Sequence, residues 1–495
     1  MDREKILSNF ILFFVFSLII SYFIFLQFIS PVLYEVDGYY HVAVSKFIKT
    51  LGLNYQFHWT QFSTFKDFFS DSDLIFHLLI IPFLFFTDNI VLAGKYGVVF
   101  YNILFLLAYI FILKKYLSNR LVSCFMLLPM LSSAFVFYSL LLRGTILAHI
   151  FIILGIYFLI EKKWRSLFVV SFLYSLSHLS FFMMIIFALL CEIIRYTVKK
   201  EFITRNIIIV FLGIIMGAVV HPNFPNNILS FYLNSILVPI LSFTNPILSF
   251  GTEVYSSSAK FIFINNFAVF LTFNVVLWVG FLKVNRVTFP TFVWCSCASI
   301  YFLLSFFSDR FWFTTNVLVF IFFASYLHDW IQSKGQDVRY NKINTAIIIL
   351  CLCIIILFSP ANVKTLKKSI NDYAFINSHY EKVASWMKNN LPAGETIYHA
   401  NGSDAPYFIC LNPKDDYIFS NDPIYMFYLY PHQYEIYKML REGKIANPSD
   451  VLRKVFHIRY GYTRTKNPLF YQIKNDQAHF KALYEDQLGM IFEII

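Results

Sequence analysis

The chain has 495 residues, of which 58% are hydrophobic, 20% aromatic and only 14% charged. A soluble domain averages about 45–50% apolar and about 25% charged residues; here the apolar excess lies in long runs, which excludes a soluble globular protein and indicates a polytopic membrane protein. The net charge of +11 does not point to nucleic acid, because much of the Lys and Arg sits in short loops between apolar runs, where it sets topology.

The first apolar run, Leu7 to Ile29, follows Met1–Lys5. It is too long for a signal-peptide core and no small-residue cleavage site follows, so it reads as a signal anchor. Residues 30–77 come next and hold most of the chemistry of the first three quarters of the chain: Glu35, Asp37, His41, Asp71, Asp73 and His77. Leu74–Phe86 is apolar but short and interrupted by Pro82, which predicts a partly buried or interfacial helix. The predicted spans after it are Ile90–Leu113, Leu121–Leu141, Thr145–Ile160, Ser166–Leu176, Leu179–Ile194, Asn206–Val220, Phe261–Leu282, Val287–Phe307, Phe311–Trp330 and Ile343–Phe358. Five basic clusters (Lys114/Lys115/Arg120, Lys162/Lys163/Arg165, Arg195/Lys199/Lys200/Arg205, Lys283/Arg286 and Lys334/Arg339/Lys342) then fall on one side. The positive-inside rule makes that side cytoplasmic, giving about eleven spans with the N-terminus inside and the C-terminus outside. The remaining polar features, namely the 30–77 loop, Arg143, His178, the loop from His221 to Lys260, and Asp309–Arg310, collect on the outer face. The seven cysteines show no metal or redox spacing, so no disulfide framework is expected.

From about Pro360 the composition turns polar. Tyr380–Leu391 reads as an amphipathic helix stopped by Pro392-Ala393-Gly394, Thr396–His399 as a strand, and Tyr434–Arg441 as a helix. His457–Tyr460, Phe480–Tyr484 and Met490–Ile494 read as short strands. The expected architecture is therefore mostly α: a transmembrane domain over 1–360 with a functional first outer loop, 30–77, and a soluble extracytoplasmic α/β domain over 361–495.

Each candidate residue has a functional and a plainer reading. Asp37 suits general acid–base work, or it caps a helix beginning near Gly38. Glu35 can share a proton or cation with Asp37, or is a surface acid. His41 lies one helical turn after Asp37, so both can face one site. Tyr40 is a ligand-stacking or an interfacial residue. Asp71, Asp73 and His77, with Asp37, supply ligand types suited to a divalent cation, or form an acidic helix start. Arg310 can grip phosphate with its planar fork, or snorkel beside Asp309. Arg143 is the reserve for that role, and His178 and Glu253 are further candidates for the substrate cavity.

The run Asp37-Gly38-Tyr39-Tyr40-His41 resembles the acidic first-loop motif of the GT-C superfamily of membrane glycosyltransferases, most of all oligosaccharyltransferase catalytic subunits. Glu35-x-Asp37 also resembles the acidic pairs of lipid-linked mannosyl- and aminoarabinosyltransferases. The layout of spans, two large outer loops and a soluble tail, and the tail run Trp386…Leu391-Pro392-Ala393-Gly394-Glu395, are similar as well. The resemblance implies sugar transfer from a polyprenyl-phosphate-linked donor to a lipid, glycan or protein acceptor at the extracytoplasmic face of a cell-envelope membrane. It implies Asp37 as base or metal ligand, Glu253 in the later outer loop, Arg310 on the donor phosphate, and Mg2+ or Mn2+ as cofactor. Two departures stand out: the tail lacks a Trp-Trp-Asp-Tyr-Gly run, and no second Asp-x-Asp motif ends a later span. An oligosaccharyltransferase or ligase using a lipid-linked oligosaccharide is the alternative within the class. A transporter or flippase is the alternative outside it, disfavoured because charges gather at one face and no inverted repeat is visible.

Overall fold

The computed structural model describes residues 2–245, 247–251, 254–283, 287–333 and 339–495. Contacts divide the chain into two compact units, one of Met1–Ser30, Lys95–Val220 and Thr252–Asn371, the other of Pro31–Gly94, His221–Gly251 and Asp372–Ile495.

The first unit is built of apolar helices, and the predicted spans all fall on helical segments. Among the described residues of the whole chain, five helices are long and apolar enough to cross a membrane, or six if one bent pair counts as a span. That pair corrects the expectation of a straight span over Leu121–Leu141. Helix Asn119–Leu127 runs into a 3-10 turn at Leu128–Leu131, and a new helix, Ser133–Ser139, leaves at 93°. Pro129 removes a backbone donor there, and the Ser132 hydroxyl accepts from Phe135 N at 3.1 Å to start the second helix. Helices Trp164–Ser175 and Thr204–Val220 pack closely through Gly213-x-x-x-Gly217. A Cβ at Gly217 would lie 1.9 Å from Ser175 Oγ, and one at Gly213 2.8 Å from Phe168 O, the close approach that small residues permit between membrane helices. Arg195, counted above among the topology-setting cations, is buried. Its Nε lies 3.2 Å from Glu192 Oε2 and its Nη2 donates to Leu159 O at 2.8 Å.

The second unit contains a five-stranded sheet of β1 (Thr396–His399), β2 (Asp416–Tyr417), β3 (Tyr460–Arg464), β4 (Phe480–Glu485) and β5 (Gly489–Ile494). Its order is β2-β1-β3-β5-β4; β1 is parallel to β2 and β3, and β5 antiparallel to β3 and β4. The third strand lies later than expected. Helix Pro448–Phe456 ends on His457 at φ 55°, and this left-handed residue pushes the strand start to Tyr460. Helices Ala405–Leu411, Pro448–Phe456 and Pro468–Asn475 escape the sequence reading, although each has proline in its first turn, where the missing donor costs nothing. The predicted Tyr380–Leu391 helix is the end of a 52-residue helix, Arg339–Asn390, that continues through Pro360.

The first loop is knitted into this unit. Trp59–Phe62 runs along the β2 edge: Tyr417 N donates to Trp59 O (2.7 Å), Gln61 N to Tyr417 O (2.8 Å) and Phe62 N to Ile418 O (2.7 Å). These bonds satisfy an edge that would otherwise be open. Phe47 of the loop stacks on Trp59 at 3.9 Å, and the Trp59 indole donates to Pro413 O. The predicted outer loop from His221 to Lys260 carries in its first part the helical stretch Asn226–Thr244, with a π-helical turn at Tyr232–Leu237.

Candidate active site

Residues Val36–Leu51 form a helix because Glu35 enters it in extended conformation and Gly52, at φ +90°, ends it. Its apolar positions, among them Tyr39, Val42, Ala43, Phe47 and Ile48, are buried, and helix Ala405–Leu411 of the tail packs against it. Asp37 therefore sits in the first turn, where the helix dipole favours a negative charge. It is not the N-cap; Glu35 holds that position, and its side chain makes no capping bond. Both acids are half-buried. Their charge is felt at Tyr407, whose phenol is pushed well above its ordinary value by burial, with Glu35 and Asp37 adding to the effect and Arg464 opposing it. Tyr407 stacks on Tyr380 at 4.2 Å and lies 4.8 Å from Tyr39, whose hydroxyl donates to Glu381 at 2.9 Å.

One turn after Asp37, His41 is buried and its Nδ1 lies 2.7 Å from His77 Nε2. Helix Leu74–Ile80, which carries His77, ends before Pro82, and a short helix, Phe83–Phe86, completes the predicted broken segment. His77 Nδ1 lies 2.8 Å from both carboxylate oxygens of Asp71. Asp71 is itself clamped by its main chain. Its N–H donates to Asn223 Oδ1 (3.1 Å), and its carbonyl accepts from His221 Nε2 (2.8 Å), a donor fixed because His221 Nδ1 accepts from Asn223 N (3.1 Å). Burial holds His221 below its ordinary value, in keeping with this neutral ring. The half-buried Tyr40 ring meets His77 edge-on at 6.2 Å. Its phenol is raised by burial, with Tyr55 and Asp71 contributing.

Glu35, Asp37, Tyr40, His41, Asp71, Asp73 and His77 thus all belong to the second unit. Arg143, His178 and Arg310 belong to the first, and Glu253 lies outside the described residues. His178 Nδ1 accepts from Ser180 N at 3.1 Å and caps a short 3-10 turn. Burial first, and the Arg310 charge second, hold His178 down to about 4, so it is neutral at physiological pH. Arg310 is exposed, and the neighbouring Asp309 carboxylate accepts from Ser257 N at 3.1 Å. Arg143 is half-buried between helices Ser133–Ser139 and Thr145–Ile160.

The cation reading of Asp37, Asp71, Asp73 and His77 meets a different geometry. Asp73 stands at the start of helix Leu74–Ile80 as expected, and its carbonyl accepts His77 N at 2.9 Å. The His77 side chain turns instead to Asp71 and His41, which occupies both ring nitrogens. Among the described residues no group of three or more His, Cys, Asp or Glu is arranged to hold a metal ion. The donor set present does not fit a preassembled divalent site.

Asp73 is held up to about 7, mainly by burial, with His77 opposing and Asp71 and Asp37 adding to the rise. A carboxyl raised in the folded state binds its proton more tightly there than when unfolded, so it costs stability as pH climbs from the ordinary carboxylate range towards 7. Asp73→Asn should therefore raise the thermal midpoint at pH 8 more than at pH 5. Equal shifts at both pH values in detergent melts would show that Asp73 ionises normally.

No family model and no curated protein matches the chain. Solved structures do. Archaeal oligosaccharyltransferase AglB from Archaeoglobus fulgidus, in complex with an inhibitory peptide and a dolichol-phosphate, is 10% identical with a TM-score of 0.65, over 93% of this chain and 70% of that one. ArnT from Cupriavidus metallidurans bound to undecaprenyl phosphate is 8% identical with a TM-score of 0.58, over 96% and 97%. Arabinofuranosyltransferase AftD from Mycobacteria is 11% identical with a TM-score of 0.53, over 97% of this chain and 40% of that one. The Archaeoglobus enzyme has also been crystallised with Zn and sulfate. At such identities the likeness is one of fold alone: the chain is folded like the archaeal oligosaccharyltransferase, ArnT and AftD.

Proposed function

We propose that the protein is a membrane glycosyltransferase that moves a sugar from a polyprenyl-phosphate-linked donor to an acceptor at the extracytoplasmic face. The observation that carries this reading is the half-buried Asp37, set in the first turn of a helix packed against the tail, in a chain whose structural neighbours include a protein bound to undecaprenyl phosphate. In the reaction, an acceptor oxygen attacks the anomeric carbon as the bond from that carbon to the phosphate oxygen breaks. The electron pair leaves on the polyprenyl phosphate, and the acceptor's proton passes to the Asp37 carboxylate. Asp37 supplies the negative charge that favours proton loss and the oxocarbenium-like carbon. Glu35 is its secondary partner. Arg310 is assigned to the leaving phosphate, with Arg143 in reserve, because a guanidinium fork pairs with two oxygens at once. His178, Tyr40 and Glu253 are assigned to substrate contacts. No step is given to Mg2+ or Mn2+. A lipid-linked oligosaccharide in place of a single sugar is the second reading, carried by the fold shared with the oligosaccharyltransferase.

Purified protein in detergent, given a labelled polyprenyl-phosphate sugar, should release polyprenyl phosphate and label an acceptor from membrane extract. Movement of the intact lipid across a proteoliposome without its consumption would instead make the protein a flippase. In the same assay Arg310→Lys should weaken donor use at least about tenfold although charge is kept, since a fork becomes a point charge. Wild-type donor affinity in that variant would remove Arg310 from the site. The basic clusters place the tail outside, so a reporter fused after Ile495 should read extracytoplasmic and one at Ser118 cytoplasmic.

A further inference from the structure

The turn after helix Ile90–Leu113 opens onto a cavity of about 490 Å³ inside the first unit. Lys114, Lys115 and Ser118 line it from the turn, and His328 and Gln332 from helix Trp312–Ser333. The volume is that of a small-ligand site. Among the described residues none of those lining it is acidic. The neighbouring Asp329 is engaged elsewhere: its carboxylate accepts from Thr288 N at 2.8 Å and from the Thr288 hydroxyl at 2.9 Å. The cavity wall is held in place from two further helices. The Tyr116 carbonyl accepts from His328 Nδ1 at 2.9 Å, and its hydroxyl accepts from the indole of the buried Trp294 at 2.8 Å. Lys115 is steadied over two rings, its Nζ 4.9 Å from the centre of Phe111 and 5.5 Å from that of Tyr157. Such contacts fix an ammonium without neutralising it. Ser118 stands at the N-cap of helix Asn119–Leu127, yet its side chain makes no capping bond. The positive end of that helix therefore adds to the two lysine charges.

We propose that this cavity binds the phosphate of an anionic phospholipid headgroup, from the leaflet at the end of the helices that carries the basic clusters. A phosphate diester asks for positive charge and hydrogen-bond donors. The cavity offers two ammonium groups, the Ser118 hydroxyl and the Gln332 amide. The rest of its lining argues for a lipid over a soluble phosphate. Leu117 and Leu121 are buried, and Ile331 lies beside them. These side chains cover the glycerol and the first acyl carbons, while the exposed Lys114 reaches the phosphate along its own apolar stem. Basic pockets between membrane helices on the cytoplasmic side hold anionic headgroups in this way. Lys114, Lys115 and Arg120 form the first of the clusters that the positive-inside rule assigns to that side. The inference is independent of the glycosyltransferase reading: its ligand is a bilayer lipid, not the sugar donor.

Purified full-length protein in detergent, titrated with acyl-chain-labelled phosphatidylglycerol and in parallel with phosphatidylcholine, should bind the first at least about tenfold more tightly. The Lys114→Ala/Lys115→Ala double variant should lose at least about tenfold in phosphatidylglycerol affinity. Lys199→Ala/Lys200→Ala removes the same charge from an exposed pair outside the cavity. At about 0.15 M salt, where distant charges are screened, it should lose less than about threefold. Ser118→Asp guards against a loss that is merely structural. Asp caps a helix as well as Ser does, so the thermal midpoint should not fall. Its carboxylate in the cavity repels phosphate and should lower phosphatidylglycerol affinity at least about tenfold. Equal affinity for the two lipids overturns the proposal. So do equal losses for the two lysine pairs, which would mean general surface charge, and so does unchanged affinity in the Lys114/Lys115 variant. Displacement of the lipid by sn-glycerol 3-phosphate at equal concentration makes a soluble phosphate ester the occupant and overturns the lipid assignment. Should the Lys114/Lys115 variant fail to fold, Ser118→Asp decides: wild-type affinity in that variant, folded, overturns the proposal. None of these readouts depends on sugar transfer.

Discussion

Asp37→Asn should abolish sugar transfer while leaving the folded protein and its donor affinity largely intact. The substitution is almost isosteric and lies at a helix start, where losing the carboxylate forfeits only about 0.3–1 kcal/mol of interaction with the helix dipole. What disappears is the negative charge that the proposed reaction sets beside the reacting carbon. Proton abstraction by a positioned group typically contributes about 10²–10⁴-fold, so the rate should fall at least that far. Glu35→Gln is the matched control. Glu35 occupies the N-cap position without a side-chain capping bond, so its replacement should leave the helix intact and cost less activity. Single-turnover transfer, measured with donor and acceptor both saturating, separates chemistry from binding. Wild-type turnover in Asp37→Asn would end the catalytic reading of this loop.

Asp404→Ala should give the largest loss of stability in the tail. Asp404 is fully buried. Its Oδ1 accepts from the Tyr380 hydroxyl at 2.6 Å and from Arg464 Nε at 2.9 Å, and Arg464 Nη2 donates to it as well as to Ser403 Oγ. Truncation strands an arginine and a phenol in a protein interior, where breaking a buried pair costs about 3–5 kcal/mol. The Arg464 side chain is 32% exposed and recovers some hydration, so about 2–4 kcal/mol is the better expectation. The effect should reach the site, because helix Ala405–Leu411 starts at the next residue and packs against the helix that carries Asp37. Thermal denaturation in detergent should therefore show a midpoint several degrees lower, together with a lower transfer rate. Glu442→Ala, which removes a solvent-facing partner of Lys444, should move the midpoint little. Equal shifts for the two variants would show that the Asp404 cluster has no special weight.

Much of this protein is legible locally. Apolar runs of span length, the broken Leu74–Phe86 segment, the strand Thr396–His399 and the concentration of acids and histidines between Glu35 and His77 all follow from periodicity, composition and punctuation by Pro and Gly, which act over one or two turns of chain. His41 one turn after Asp37 is equally a property of the helix. The partners of those residues were decided only in three dimensions. His77 was placed by spacing opposite Asp73, yet it bonds Asp71, because the loop enters the helix at an angle that spacing does not encode. Asp71 in turn is held by His221 and Asn223, 150 and 152 residues away. Trp59–Phe62 gives no strand signal of its own and becomes ordered along β2, some 355 residues on, because that edge offers it unpaired backbone groups. Tyr407 looks like an ordinary tail residue in sequence and becomes a neighbour of the acidic loop only when the tail folds over it. Hydrophobic pattern is repeated many times along the chain and tolerates local variation. A buried hydrogen-bond chain is made once, between single atoms, and its partners are chosen by the packing that brings distant segments within 3 Å.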